Sequence, residues 1–377
     1  MIYLDNSATT QPAQEVLKSF QTVSMNYYAN PSSIHVGGSE VEKLLFKART
    51  QIAQLLKVNE DEVIFTSGGT ESNNLAIKGI AHAHQNRGNH IITTQIEHPA
   101  VLQVCKDLER EGFEVTYLPV DESGNINLDD LKKAINENTI LVTIMHVNNE
   151  IGTIQPIEKI AKLLANYPKI TFHTDHVQGF GKVSLPYDME GLDLITISGH
   201  KIHGLKGTGC LIKKRHVQLK PLFHGGSQEG SVRPGTENVA GNVSLAKAMR
   251  LAVEKQSQYN RLIALHQKLF DQLEPIDKIT INSPKNGAAH IFNFSVLGFK
   301  PEVLIHALGE KEIYVSTKSA CSSKQDEPSH VIVACGKEQE AGAAIRVSLS
   351  INQSEEDIDI FIKEIKNVIQ QYKSIMG

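Results

Sequence analysis

The sequence has few cysteines, no block of like charge and no long apolar run, and each shortage excludes a class of protein. Its 377 residues hold four cysteines, Cys105, Cys210, Cys321 and Cys335, widely spaced and without a C-x-x-C pair. That is no disulfide framework; it fits a reducing cytoplasm and argues against a cysteine-based zinc site. The formal net charge of -4 is small for this length, and there is no basic or acidic tail. Direct nucleic-acid binding is therefore not expected. No uninterrupted apolar stretch would span a bilayer, so no membrane association is expected. Met1-Ile2-Tyr3-Leu4-Asp5-Asn6 lacks the basic and apolar regions of a signal peptide. No internal repeat or low-complexity segment is present.

What remains is a chain long enough for two domains, or one large domain with a smaller lobe. Strand-like and helix-period segments alternate through its first two thirds. Val41, Leu44, Leu45, Ala48, Ile52, Leu55 and Leu56 recur at helical spacing. Strand-like runs follow at 62–66, 90–94, 114–118, 139–144, 170–174 and 192–197, separated by helical stretches. Apolar strands alternating with amphipathic helices predict an α/β fold with a mostly parallel sheet covered on both faces. From about residue 260 the strands shorten, as in His290-Ile291-Phe292-Asn293-Phe294, and a last amphipathic helix runs through Ile358, Phe361, Ile365 and Ile369. This predicts a C-terminal lobe, bounded in or after one long helix near Leu245–Leu262.

Such sheets bind ligands at the carboxyl ends of their strands. Thr70, His98, Asn149, Asp175 and Lys201 all follow strand-like runs. Lys201, in Ser198-Gly199-His200-Lys201, offers an amine for a Schiff base. Asp175 offers a carboxylate for a pyridinium nitrogen, and the pair is what pyridoxal phosphate chemistry requires. Either residue alone reads as ordinary: a solvated loop lysine, a helix N-cap aspartate. Gln178 is a capping partner or a donor to the cofactor's phenolic oxygen. Ser67-Gly68-Gly69-Thr70, leading into a helix, is a phosphate-cradle candidate, with Ser198 and His200 as further donors. His98 would stack on a planar ring and move protons. Cys321 lies in a small, polar context between Lys318 and Lys324, which would lower its pKa; Cys105, Cys210 and Cys335 read as core fillers. Arg346 interrupts a strand-like run, either as a surface salt bridge or to grip a substrate carboxylate through two hydrogen bonds. His173 with His176, and His200 with His203, have i, i+3 spacing but no clustered carboxylate or cysteine, so no metal is expected.

Ordered motifs run nearly the whole length: Tyr3-Leu4-Asp5-Asn6-Ser7-Ala8-Thr9-Thr10, Asn30-Pro31-Ser32-Ser33, Phe65 to Asn73, Met145-His146-Val147-Asn148-Asn149-Glu150-Ile151-Gly152, Ser198 to Lys201, Arg233-Pro234-Gly235-Thr236, Ser319-Ala320-Cys321 and Arg346. In these the chain resembles the pyridoxal-phosphate-dependent cysteine desulfurases of the NifS/IscS type, in the class V aminotransferase group. The resemblance implies a PLP-dependent transferase of fold type I. Its large domain (15–255) would carry a mostly parallel seven-stranded sheet. Residues 1–14 with 256–377 would form a smaller α+β C-terminal domain bearing a mobile cysteine loop at about 316–330. It implies a cytoplasmic homodimer that converts L-cysteine to L-alanine. The sulfur would pass as a persulfide on Cys321 to an acceptor protein, an iron–sulfur scaffold or a tRNA-thiolation enzyme. Cofactor contacts fall on Gly69, Thr70, His98, Asn149, Asp175, Gln178, Ser198, His200 and Lys201, with Thr236 reaching the other subunit's cofactor phosphate. Asn149 and Arg346 would hold the substrate; Lys201, His98 and Cys321 would be catalytic. A selenocysteine lyase or a class V aminotransferase on the same scaffold are the alternatives. Two residues depart from the family pattern: His176, where a small residue is usual, and Lys318, where glycine is common.

Overall fold

A computed structural model describes residues 1–318 and 327–376. Twelve strands were identified among the described residues: β1 (Ile2–Tyr3), β2 (Val63–Thr66), β3 (His90–Thr94), β4 (Glu114–Leu118), β5 (Thr139–Thr143), β6 (Thr171–Asp175), β7 (Leu194–Ser198), β8 (Gly209–Lys213), β9 (Ile279–Ile281), β10 (Ile291–Val296), β11 (Ile313–Tyr314) and β12 (Ala344–Ser348). Seven form one sheet in the order β2-β8-β7-β6-β5-β3-β4. Only β8 runs against its neighbours. The expected mostly parallel seven-stranded α/β sheet is therefore present.

Its strands read as near-continuous apolar runs because both faces are covered. Adjacent residues of one strand enter different cores, as the two-residue pleat requires. Ile91, Leu141, Leu194 and Leu211 pack with the helices Gly69–His84 and Pro99–Arg110. Their neighbours Ile92, Val142, Ile195 and Ile212 pack on the other face with the helices Val36–Leu56, Ile157–Leu164 and Val239–Glu254.

A third core gathers Leu4 with Leu262, Phe270, Phe292, Phe294, Ile358 and Phe361. It is built on the antiparallel sheet β12-β10-β9 and the helices Arg261–Leu273 and Glu355–Met376. β1 pairs with β11, so the N-terminus joins the C-terminal part of the chain. The segment after β1 then crosses toward the large sheet. Ser7 N–H donates to Ser348 Oγ (2.8 Å), and Thr10 N–H donates to His200 O (2.9 Å).

The single long helix expected near Leu245–Leu262 is two. One ends at Glu254, a short 3₁₀ turn spans Gln256–Asn260, and the next helix starts at Arg261. The run Lys255-Gln256-Ser257-Gln258 offers no apolar side chain to continue a buried stripe, and the pattern resumes only from Tyr259 and Leu262.

Gly209 opens β8 against the turn after β2. A Cβ there would lie 2.6 Å from Gly68 Cα and 2.8 Å from Ile197 O. Gly209→Ala is expected to lower stability by about 1–3 kcal/mol, read as a lower urea midpoint at unchanged slope. Gly342→Ala, with open space around it, serves as the control and should leave the midpoint where it is.

Candidate active site

Parallel strands end on one edge, and their loops meet there. Asp175 is the last residue of β6 and Ser198 the last of β7. A 3₁₀ turn, Gly199–Lys201, then carries the lysine over the edge. Asn149 comes from the loop after β5, and His98 from the turn between β3 and the helix Pro99–Arg110. One cavity collects these residues with Gly69, Thr70, Gln178, His200 and Arg346. Two expected residues are not among its walls. Thr236 is exposed on a surface loop and does not line the cavity. Cys321 lies outside the described residues.

Asp175 is buried, and burial pushes its carboxyl above the usual range. Two donors and the nearby Lys201 charge oppose this. Val177 N–H donates to Oδ1 (3.0 Å), and Asn73 Nδ2 donates to Oδ2 (2.7 Å). A cation against the carboxylate would favour its charged form further. Lys201 Nζ donates to the main-chain oxygens of Ser7 and Ala8, the latter at 2.8 Å. Gln178 Nε2 also donates to Ser7 O (3.0 Å). The crossing N-terminal segment therefore forms part of the site.

Arg346, on β12, is 1% exposed; it is no surface salt bridge. Nη2 donates to Asp5 Oδ1 (2.9 Å) and Nη1 to Asn149 O (3.0 Å). Its Nε–H has no partner among the described residues. Five donors with two spent leave an edge for a carboxylate.

His98 caps its own helix, its Nδ1 accepting the Ala100 N–H at 3.1 Å. The neutral ring must then carry its proton on Nε2. Burial and the Lys201 charge hold the imidazole down to about 4. At neutral pH it is an uncharged Nε2–H donor, so the cap favours hydrogen-bond donation over proton abstraction. His200 is likewise pushed down to about 4 by burial, and its Nδ1 lies 3.2 Å from Thr9 Oγ1.

The residues fit pyridoxal phosphate. Ser7 Oγ, Asn73 Oδ1, Gln178 Oε1 and Ser198 Oγ are buried beside the cavity with no partner among the described residues. The helix Gly69–His84 presents its N-terminus there, where an anion is favoured. Among the described residues no group of three or more metal-ligating side chains assembles. His173 is spent on Thr143 (2.8 Å) and Thr196 (2.9 Å), and His176 faces His146 instead. Cys105, Cys210 and Cys335 are buried and unpaired. Burial pushes their thiols up, to about 12 at Cys210 and about 11 at Cys335. Lys318 is buried, its Nζ donating to Glu327 O.

Asp5, Ser7, Ala8, Asn73 and Glu97 escaped the sequence reading. All but Glu97 lie in the motif runs quoted above; their roles are long-range contacts that spacing does not reveal. Glu97 stands directly before His98 and is wholly buried. Oε1 accepts Thr94 O–H (2.8 Å) and Met145 N–H (2.9 Å), while Oε2 has no partner among the described residues. Burial, with Asp175 nearby, pushes its carboxyl up to about 8. Its ordinary value is 4.5, so its stabilisation is complete below that pH and is lost as pH rises through about 8. The protein should lose roughly 3–5 kcal/mol between pH 5 and 8 from this group. Glu97→Gln keeps the acceptor oxygen and removes the titration. Urea unfolding at the two pH values should show a flatter dependence and a more stable variant at pH 8.

Comparison with known proteins agrees with this geometry. The family described as Aminotransferase class-V matches residues 2–361. The "Cysteine desulfurase IscS" of Dictyoglomus turgidum is 43% identical over 99% of this chain and 96% of that protein. A solved structure described as a NifS-like protein superimposes with a TM-score of 0.91 at 37% identity, covering 98% of this chain and 99% of that one. Another, "SspA in complex with cysteine", gives a TM-score of 0.82 at 35% identity, over 94% of this chain and 100% of that one.

Proposed function

The chain belongs to the class-V aminotransferase family, and from that premise we propose that it is a pyridoxal-phosphate-dependent cysteine desulfurase, a sulfurtransferase that turns L-cysteine into L-alanine. The observation that carries this reading is one cavity holding the Lys201 amine, the buried Asp175 carboxylate and the Arg346 guanidinium. When bound, pyridoxal phosphate supplies an aldehyde for amines and a ring that takes up electron density.

The chain's own residues do the rest. Asp175 would meet the pyridine nitrogen and favour its protonated form. Ser198, His200, Gly69 and Thr70 would hold the phosphate, and Gln178 would meet the phenolic oxygen. His98 would stack on the ring and offer its Nε2–H as a donor. Arg346 and Asn149 orient the substrate carboxylate. The Lys201 amine takes the proton from the substrate's Cα. The Cys321 thiolate attacks the substrate's sulfur. An S–S bond forms as the C–S bond breaks, and the electron pair stays with the carbon. That carbon, Cβ, takes a proton, Lys201 returns a proton to Cα, alanine leaves, and Cys321 keeps the persulfide for an acceptor protein. An iron–sulfur scaffold and a tRNA-thiolation enzyme are both suitable acceptors.

The homodimer rests on two observations. Thr236 is exposed and outside its own chain's cavity, as a residue serving the other subunit must be. Met25, Tyr28, Ile34 and Phe46 expose large apolar side chains from one stretch of sequence. The distinct apolar cores support the division into 15–255 and 1–14 with 256–377. No described helix is long and apolar enough to cross a membrane; cytoplasmic residence is part of the proposal, supported by the unpaired state of the described cysteines.

Incubation with sulfur-labelled cysteine tests the reading. Alanine should form, and label should accumulate on the wild-type protein. Cys321→Ala should bind the cofactor normally, retain no label and desulfurate cysteine at least about 100-fold more slowly. Label that never reaches Cys321 would overturn the mechanism. Undiminished turnover of selenocysteine alone by the variant would favour the lyase alternative.

A further inference from the structure

His176, the departure noted in the sequence, does not enter the cavity. It turns into the core and stacks on His146, with ring centroids 4.8 Å apart and planes 26° apart. The two Nδ1 atoms lie 2.8 Å apart. A contact that short needs one proton between two nitrogens: with none it is repulsive, and with two it is more so. The other edge of His176 meets the Tyr187 hydroxyl at 3.2 Å. Both imidazoles are buried, and burial holds both well below the usual range, His146 at about 4. A charge on His146, or on Lys182, whose own ammonium burial pushes down to about 7, would oppose a charge on His176. The pair is thus neutral and singly bridged. Gly179 makes room for it, since a Cβ there would lie 2.5 Å from the His176 ring and 2.8 Å from His146 Nδ1.

The contact joins two loops that line the cavity. His146 N–H donates to Asp175 O (2.9 Å), extending the β5–β6 ladder past its last registered pair. Met145, Val147 and Asn149, around His146 in sequence, line the cavity, as do Asp175, Val177 and Gln178 around His176. We propose that the His146–His176 contact is a positioning element, a neutral imidazole pair that fixes the Asp175–Gln178 turn against the loop bearing Asn149. Its effect on the reaction runs through Asp175 and Gln178, so the inference rests on their role toward the cofactor.

Size and hydrogen bonding separate under substitution. His176→Phe keeps a ring of similar volume and loses the bridge. His176→Asn loses volume but keeps an amide where Nδ1 stands. If the bridge positions the turn, His176→Phe weakens pyridoxal phosphate binding to the apoprotein about tenfold. It also shifts the pH midpoint of the bound cofactor's visible band, at roughly 420 nm. His176→Asn should lose thermal stability yet keep both values near wild type. His146→Phe combined with His176→Phe should be no worse than either alone. In the apoprotein, nitrogen-15 spectra of histidine should show both rings neutral at pH 6, with one of the two Nδ1 atoms protonated. Additive losses, a charged ring, or affinity that follows thermal stability across the variants would overturn the proposal. Wild-type protein that binds no pyridoxal phosphate would instead overturn the functional reading beneath it.

Discussion

A carboxylate buried at the end of an interior strand is costly unless donors surround it, and much of the site serves that requirement at Asp175. Asn73 reaches it from the helix Gly69–His84, whose first residues border the cavity. The turn after β6 folds back so that Val177 N–H caps the other oxygen. Sheet order does the rest. β5, β6 and β7 are neighbours, so Asn149, Asp175 and Lys201 leave the same edge side by side. A one-residue slip of β6 would turn the carboxylate to the opposite face and exchange the residues of the two cores, which burial on both faces resists.

The cavity is nevertheless not a property of the large sheet alone. Its amine is held by carbonyls of Ser7 and Ala8, and its guanidinium comes from β12. Asp5 and Arg346 pair 341 positions apart in the chain. Burying such a pair is weak evidence for stability, since desolvation offsets much of the attraction. The arrangement makes better sense as chemistry. Asp5 and the Asn149 carbonyl fix the guanidinium and leave its remaining donors aimed where a carboxylate would sit.

The parallel strands were legible because burial on both faces writes them as continuous apolar runs. The lysine and aspartate were legible because they end such runs. Arg346 was legible as a charge inside a strand, but its burial and its partner were not, because pairing across the chain leaves no local spacing to read. The helix break at 255–260 was missed because polar residues between two amphipathic stretches look like one exposed face. His176 was visible as a departure and not as a contact, since nothing in a one-dimensional pattern shows that it turns away from the cavity toward His146. Thr236 was named from family resemblance alone and Cys321 from its small, polar context between two lysines, its persulfide role from the resemblance; single-chain geometry adds only the exposure of Thr236.

The proposed reaction also requires a thiol from elsewhere in the chain. Lys201, Asp175 and Arg346 are the groups proposed to take an amino acid, and none of them is a nucleophile suited to sulfur. An attacking thiol must be a thiolate at working pH and must reach the substrate. Cys105, Cys210 and Cys335 fail on both counts, sealed in apolar cores that push their thiols upward. Cys321 remains as the candidate, with Lys318 and Lys324 three residues to either side in sequence. In sequence it lies between Lys318 and Glu327, and the Lys318 Nζ donates to the Glu327 main-chain oxygen. Lysine at 318, where the family resemblance leads one to expect glycine, spends a donor on a main-chain oxygen nine residues further on.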